Sequence, residues 1–67
     1  MNYKVVEGDN NEAEFDSYAE AVNYVSKNYK RLRILGYVVT PIINGQFTYY
    51  EDGKDGDDGT NVRIENL

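Results

Sequence analysis

The sequence predicts an α+β fold, in which one helix packs on a small, mainly antiparallel sheet in the order β(β)αβββ. Three observations favour this fold. Apolar residues recur at helical spacing between residues 18 and 34, an Asn-Gly pair separates two β-rich runs, and β-rich segments stand near both ends of the chain. With 67 residues, the chain is expected to form a single domain, residues 1–67.

The first half of the chain is predicted to contain a strand, a turn, a brief second strand and the helix. Residues 2–8 are rich in β-forming side chains, GDNNE favours a turn, and AEF at residues 13–15 can pair back on the first strand. Ser17 and Glu20 form a capping box, which predicts that the helix begins at residue 18. Gly36 supplies the left-handed residue that ends it. The predicted apolar stripe consists of Tyr18, Val22, Val25, Tyr29 and Leu32, with Ala21 beside it.

The second half is predicted to form a β-hairpin, residues 37–43 and 46–51, because an Asn-Gly pair between apolar runs is typical of hairpin turns. A two-residue turn would place Pro41 in a hydrogen-bonded pair, where proline has no N–H to donate. We therefore expect a three-residue loop, Ile43 to Gly45, and a free edge or a bulge at Pro41. One face then lies beneath the helix (Tyr37, Val39, Pro41, Phe47 and Tyr49), and the other carries Val38, Thr40, Ile42, Gln46, Thr48 and Tyr50.

Residues 60–67, TNVRIENL, alternate apolar and polar side chains and are predicted to form the last strand. Val62 and Ile64 are expected on its buried face. Between this strand and the hairpin lies the acidic loop, residues 51–58, which contains five of the twelve acidic residues.

The composition argues against an enzyme. The chain has no cysteine and no histidine, which excludes disulfides, thiolate chemistry and the commonest general base. No register of the acidic loop fits the ligand positions of an EF-hand, and the loop lacks the glycine spacing of a phosphate-binding loop. We therefore expect no catalytic residues, no metal site and no cofactor.

The location of the protein is predicted from what the sequence lacks. Residues 1–15 have no apolar core of a signal peptide, and no apolar run approaches the ~18 residues of a membrane span. The lack of cysteine in so small a chain fits a reducing compartment. We therefore expect a cytoplasmic protein with no membrane association, and its size is in keeping with a small accessory protein of viral or mobile-element origin.

The charge is distributed in three blocks. Residues 1–20 carry six acids and one base (−5), residues 21–50 carry four bases and no acid (+4), and residues 51–67 carry six acids and two bases (−4), which gives the net charge of −5. Phosphate repulsion by this charge disfavours general nucleic-acid binding. The acidic segments at residues 7–20 and 51–58 are expected to meet at one edge of the sheet, where they would imitate nucleic acid or confer solubility.

These observations predict a non-enzymatic protein-binding module, an inhibitor or adaptor that acts on a larger partner with a basic surface. An apolar patch with an aromatic anchor and a charged rim is typical of binding surfaces. The predicted partner-binding residues are Val38, Ile42, Tyr50, Glu51, Asp52, Asp55, Asp57 and Asp58.

Two alternatives use the basic patch, which consists of Lys27, Lys30, Arg31 and Arg33 near the end of the helix. This patch either complements the helix dipole or contacts a nucleic-acid backbone, so the alternative function is that of a nucleic-acid-associated protein. The patch could also contact the acidic loop of a second copy, which would form a homodimer.

Overall fold

The computed structural model describes residues 1–67 and contains one α-helix packed on a five-stranded antiparallel sheet. The predicted α+β fold is confirmed. All four pairs of neighbouring strands are antiparallel, and the strand order across the sheet is β2-β1-β5-β4-β3. The elements are β1 (Tyr3–Glu7), β2 (Asn10–Phe15), α1 (Tyr18–Ile34), β3 (Val38–Val39), β4 (Phe47–Tyr50) and β5 (Thr60–Asn66).

The N-terminal hairpin has a shorter turn and a longer second strand than the sequence suggested. The turn occupies Gly8 and Asp9, and β2 already begins at Asn10. Because β2 is an edge strand, its polar residues pair through the main chain while their side chains remain in solvent. A bulge interrupts the pairing, since Val5 lies opposite Ala13 whereas Val6 lies opposite Asn11. β1 pairs with β5 on its other side and therefore lies inside the sheet.

Helix α1 has the predicted bounds, and Ser17 caps it, but the reciprocal bond of the predicted capping box, from the Ser17 N–H to the Glu20 side chain, is not formed. The Glu20 main-chain N–H donates to Ser17 Oγ over 3.2 Å, and Gly36 has a φ of 96° just beyond the helix. α1 lacks the length and the apolar character of a membrane-spanning helix. The residues that contact the sheet most closely are Ala21, Val25 and Leu32, which are all buried, with Tyr24 and Tyr29 packed beside them.

The observed stripe differs from the predicted one in the first turns of the helix. Tyr18 is 46% exposed and Val22 is only half-buried, whereas Tyr24 packs on Phe15 with ring centres 5.4 Å apart. The small side chain of Ala21 allows the helix to approach the sheet at this position. The line of closest contact therefore passes through Ala21 rather than through Tyr18 and Val22.

The core lies between α1 and one face of the sheet. Its buried residues from the sheet are Val5, Phe47 and Val62, joined by the half-buried Tyr3 and Ile64. The opposite face of the sheet, here called the outer face, has no second layer of helices. Neither β1 nor β5 covers the outer side of the hairpin, because both strands lie within the same sheet.

The predicted three-residue hairpin loop is wrong. The turn contains only Asn44 and Gly45, whose φ values of 54° and 74° are typical of a type I′ turn. Ile43 and Gln46 exchange both main-chain hydrogen bonds across it, at 2.9 and 3.1 Å. The Asn-Gly preference for this turn therefore determines the length of the loop.

A bulge beside the turn accommodates the proline. The Thr40 N–H donates to the Thr48 carbonyl, and the Thr48 N–H donates to Thr40 Oγ1, both over 2.9 Å. Two residues, Pro41 and Ile42, thus separate Thr40 from Ile43, while Phe47 alone separates Gln46 from Thr48. The predicted bulge on an edge strand is confirmed, but Pro41 is exposed rather than beneath the helix.

Beyond the bulge the hairpin has the predicted register. Val38 lies opposite Tyr50 and Val39 lies opposite Tyr49. Phe47 is buried, and Tyr37, Val39 and Tyr49 pack against the core, as predicted for the face beneath the helix. Since side chains alternate along a strand, Val38 and Tyr50 belong to the outer face.

Candidate protein-binding surface

The antiparallel topology brings several charged segments to one end of the molecule. The acidic loop connects β4 to β5 at this end, and the β1–β2 turn reaches the same place, where the Gly8 N–H donates to the Asn61 carbonyl over 2.8 Å. The end of α1 is also here, because Leu35, Gly36 and Tyr37 line a small cleft together with Glu51 and Asp52. The end of the sheet that carries the acidic loop is called the loop end below.

The two acidic segments meet only in part. Glu7 and Asp9 lie near the start of β5 and thus beside the acidic loop. The remaining N-terminal acids continue along β2, at the sheet edge opposite β3, and into the start of α1. These acids, which lead away from the loop end, are Glu12, Glu14, Asp16 and Glu20.

The acidic loop folds back on the outer face. A short 3-10 turn, Gly56–Asp58, is capped by Asp55, whose Oδ1 accepts from the Asp57 N–H over 3.2 Å. A Cβ atom at Gly56 would lie 3.7 Å from the Tyr50 ring, which is ordinary van der Waals contact. The 3-10 turn therefore rests on the Tyr50 side chain, and the loop carboxylates are held beside it.

Gly59 fixes the return of the loop to β5. A Cβ atom there would lie 2.6 Å from Thr48 Cγ2 and 3.0 Å from the carbonyl oxygens of Tyr49 and Gly56. Contacts this short require the loop to move away from β4. The φ of Gly59 is −73°, a value that is available to any residue. Glycine is therefore needed at this position for the close approach to β4 and not for its backbone conformation.

Replacing Gly59 with alanine is expected to lower the free energy of unfolding by about 1–3 kcal/mol, the usual cost of overpacking. Gly56→Ala, in the same loop, is expected to have little effect because its new methyl group meets the Tyr50 ring at an ordinary distance. Urea denaturation followed by circular dichroism measures both changes. Equal stability of the two variants would show that the loop does not pack tightly on Thr48.

The apolar part of the predicted site is brought together only in part. Val38 and Tyr50 form a cross-strand pair on the outer face beside the acidic loop. Ile42 is 36% exposed but lies in the bulge, towards the hairpin turn. Because of that bulge, Ile43 rather than Ile42 lies opposite Gln46, and it is 63% exposed. Sequence reasoning missed Ile43 because it assigned this residue to the loop.

A cleft of about 530 Å³ opens at the loop end, and the sequence did not reveal it. The Tyr37 and Tyr49 rings in its wall are 5.2 Å apart between centres and inclined at 80°. Burial raises the pKa of the Tyr49 phenol above its ordinary value, and the negative charge of Glu7 adds to this effect. The lining residues are Tyr37, Tyr49, Tyr50, Glu51, Lys54, Asp58 and Thr60.

The loop carboxylates have no cationic partner. The ion pairs of the structure join the Met1 amino group to Asp16, and Lys4 and Arg63 to Glu65, and none includes the acidic loop. All five acids of the loop are exposed. No three carboxylates converge in an arrangement that could hold a metal ion. The negative electrostatic potential of the loop is therefore not neutralised within the protein and can attract a cationic group of a partner.

The basic patch lies on the exposed side of α1. Its four side chains, Lys27, Lys30, Arg31 and Arg33, are all exposed. The Arg33 guanidinium lies 5.9 Å from the centre of the Tyr29 ring, within the range of a cation–π contact. Beside it, Ile34 is 85% exposed and borders a second cleft with Tyr29, Lys30 and Arg33.

Comparisons with protein-family profiles, with characterised proteins and with solved structures find no match for this chain. Its function is therefore inferred from the shape, chemistry and charge of the surfaces described above.

Proposed function

We propose that the protein is a non-enzymatic binding module, an inhibitor or adaptor, whose loop end engages a basic surface of a larger protein in the cytoplasm. One observation supports this proposal most directly. Five exposed carboxylates without cationic partners are held beside a half-buried apolar pair, Val38 and Tyr50. An aromatic anchor inside a charged rim is the usual composition of a protein interface.

The chemistry of the loop end favours binding over catalysis. Acid–base work by a carboxyl group depends on an apolar pocket that holds one member of a pair in its protonated form. Glu51 and Asp58 line the cleft from an exposed loop and stand in solvent. No histidine or cysteine is available as an alternative base or nucleophile.

The partner surface is proposed to be basic, and a nucleic-acid-binding groove is one form that such a surface takes. Glu7 and Asp9 extend the charge of the loop towards the acids of β2. A partner that binds phosphates along a groove presents rows of lysine and arginine, which a row of carboxylates can neutralise. In this form of the proposal, the protein blocks access of nucleic acid to its partner.

A second candidate function is nucleic-acid association through the basic patch. The observation that favours it is the exposure of Lys27, Lys30, Arg31 and Arg33 around the end of one helix, next to Ile34. The position of the acidic loop argues against nucleic-acid association through the basic patch. Glu51 and Asp52 share a cleft with Leu35 and Gly36, directly beyond the basic patch, so they would repel phosphates approaching the helix end.

The test uses the partner captured from a lysate of the source cells and then purified. Tyr50→Ala is expected to shorten the residence time about tenfold, since anchor residues commonly contribute ~1–2 kcal/mol, and to leave the association rate unchanged. Surface plasmon resonance separates the two rates. If Tyr50→Ala binds like the parent while Lys30→Glu with Arg31→Glu abolishes binding, the basic patch is the functional surface.

A DNA-affinity column separates the two functions without any knowledge of the partner. A module that binds basic proteins should pass through the column at low salt. Retention that decreases with salt and is lost in the Lys30→Glu, Arg31→Glu variant would support the nucleic-acid function.

A further inference from the structure

We infer that the cleft at the loop end is a receptor for one lysine side chain of the partner protein. The inference rests on the proposed function and adds the identity of the group that enters the site. Its basis is a cleft in which two tyrosine rings in edge-to-face contact lie beside two carboxylates that form no ion pair.

The tyrosine rings form the first part of the receptor. Tyr37 and Tyr49 meet at 80° with their centres 5.2 Å apart, so their planes form a corner rather than a stack. The face of an aromatic ring attracts a cation placed within ~6 Å of its centre. A compact ammonium group fits a corner of two rings, whereas a planar guanidinium prefers to lie flat on a single ring.

The carboxylates form the second part. Glu51 and Asp58 line the cleft from the two ends of the acidic loop, and neither forms an ion pair. Glu7 adds a third negative charge beside Tyr49. A cation at the ring corner therefore lies within a negative field, and this charge complementarity selects an ammonium group over a neutral side chain.

The size and openness of the cleft indicate a side chain carried by a surface. A volume of about 530 Å³ accommodates the four-carbon stem of lysine as well as its ammonium group. The rings can contact the stem while the carboxylates contact the charged end, as in the usual burial of lysine stems along apolar surfaces. The cleft opens to solvent between exposed residues, so a lysine that projects from another protein can enter it directly.

Lys54 is expected to compete with the partner's lysine for the cleft. It lies in the middle of the acidic loop, lines the same cleft and forms no ion pair. Its ammonium group supplies the only positive charge among the lining residues. Removal of this charge is therefore expected to strengthen the binding of an external lysine.

The experiment uses the whole protein and a defined probe, the capped tripeptide Gly-Lys-Gly, with Gly-norleucine-Gly as the uncharged analogue. The expected result is a saturable shift of the Tyr37 and Tyr49 ring resonances in NMR spectra with the lysine peptide, and none with the norleucine peptide. Tyr37→Leu retains apolar bulk without a ring and is expected to weaken binding about two- to five-fold. Lys54→Gln is expected to tighten it.

Charge controls decide whether the effect belongs to the cleft. Glu51→Gln with Asp58→Asn should weaken binding of the lysine peptide, whereas Glu12→Gln with Glu14→Gln makes the same change in net charge at β2 and should not. Equal weakening by both pairs, equal shifts with norleucine, or shifts with tetramethylammonium but not with the lysine peptide would each overturn the inference.

A failure of the lysine receptor can be distinguished from a failure of the proposed function. If the lysine peptide leaves the cleft unperturbed while Tyr50→Ala still shortens partner residence, the lysine receptor is wrong and the binding module stands. If the peptide binds but no partner responds to variants at the loop end, the receptor stands and the proposed function is wrong.

Discussion

Replacement of Phe47 with alanine is expected to leave most of the protein unfolded at room temperature. Phe47 is 2% exposed and is the largest of the fully buried side chains. Its ring meets the Tyr29 ring at 90° with 5.4 Å between centres, so it connects β4 to α1. Truncation of a buried phenylalanine costs about 3–5 kcal/mol. The core of a domain this small supplies about 3–5 kcal/mol in total, so the two quantities nearly cancel.

The matched control is Ile43→Ala in the same hairpin. Ile43 is 63% exposed, so this substitution removes a large apolar side chain from the surface rather than from the core. It should unfold at nearly the parent urea concentration. Circular dichroism and the dispersion of NMR signals measure the folded fraction. A Phe47→Ala protein with parent-like dispersion and a urea midpoint close to that of Ile43→Ala would contradict the assigned core.

The helix and the strands could be predicted because local chemistry determines them. The Ser17 hydroxyl accepts from the Glu20 N–H within one turn, and the spacing of Val25 and Leu32 places both side chains on one side of α1. The alternation of Val62 and Ile64 with polar neighbours likewise places both of them on the helix side of β5. These features depend on residues near each other in the chain.

The hairpin loop was mispredicted because two local preferences competed. Pro41 disfavours the register of a two-residue turn, whereas Asn44-Gly45 strongly favours that turn. The protein satisfies both through a bulge at Pro41 and Ile42, with the Thr40 hydroxyl acting as the acceptor for the Thr48 N–H. A bulge of this kind changes which isoleucine lies opposite Gln46, so the error in the loop also changed the predicted binding surface.

The sequence predicted that Tyr50 and the acidic loop belong to the candidate site, but it did not predict the shape of the cleft. Tyr50 and the acidic loop are adjacent in the chain, so their proximity follows from the sequence. The cleft, however, joins Tyr37 and Tyr49 to Asp58, and this depends on how an aspartate- and glycine-rich loop returns across β4. The loop has no apolar periodicity, and the close approach at Gly59 that positions it is a tertiary contact.

Neutralisation of Asp55, Asp57 and Asp58 is expected to slow association with the captured partner about tenfold at low salt, a larger effect than on its dissociation rate. Electrostatic steering raises association rates by ~10–10³, and this variant removes three of the five unpaired charges of the acidic loop. Because the charges are exposed, the difference should diminish as the ionic strength rises towards and beyond 0.15 M, where the screening length is ~8 Å.

Asparagine is the appropriate replacement because it retains an acceptor at Oδ1. Asp55 caps the 3-10 turn through that atom, so Asp55→Asn preserves the hydrogen bond from the Asp57 N–H and removes only charge. The matched control replaces Glu12 and Glu14 with glutamine and Asp16 with asparagine, which changes the net charge equally on the far side of the sheet. Stopped-flow or surface plasmon resonance at several salt concentrations gives the rates. If both triple variants slow association equally, steering depends on the total charge alone. If neither does, the acidic loop does not face the partner.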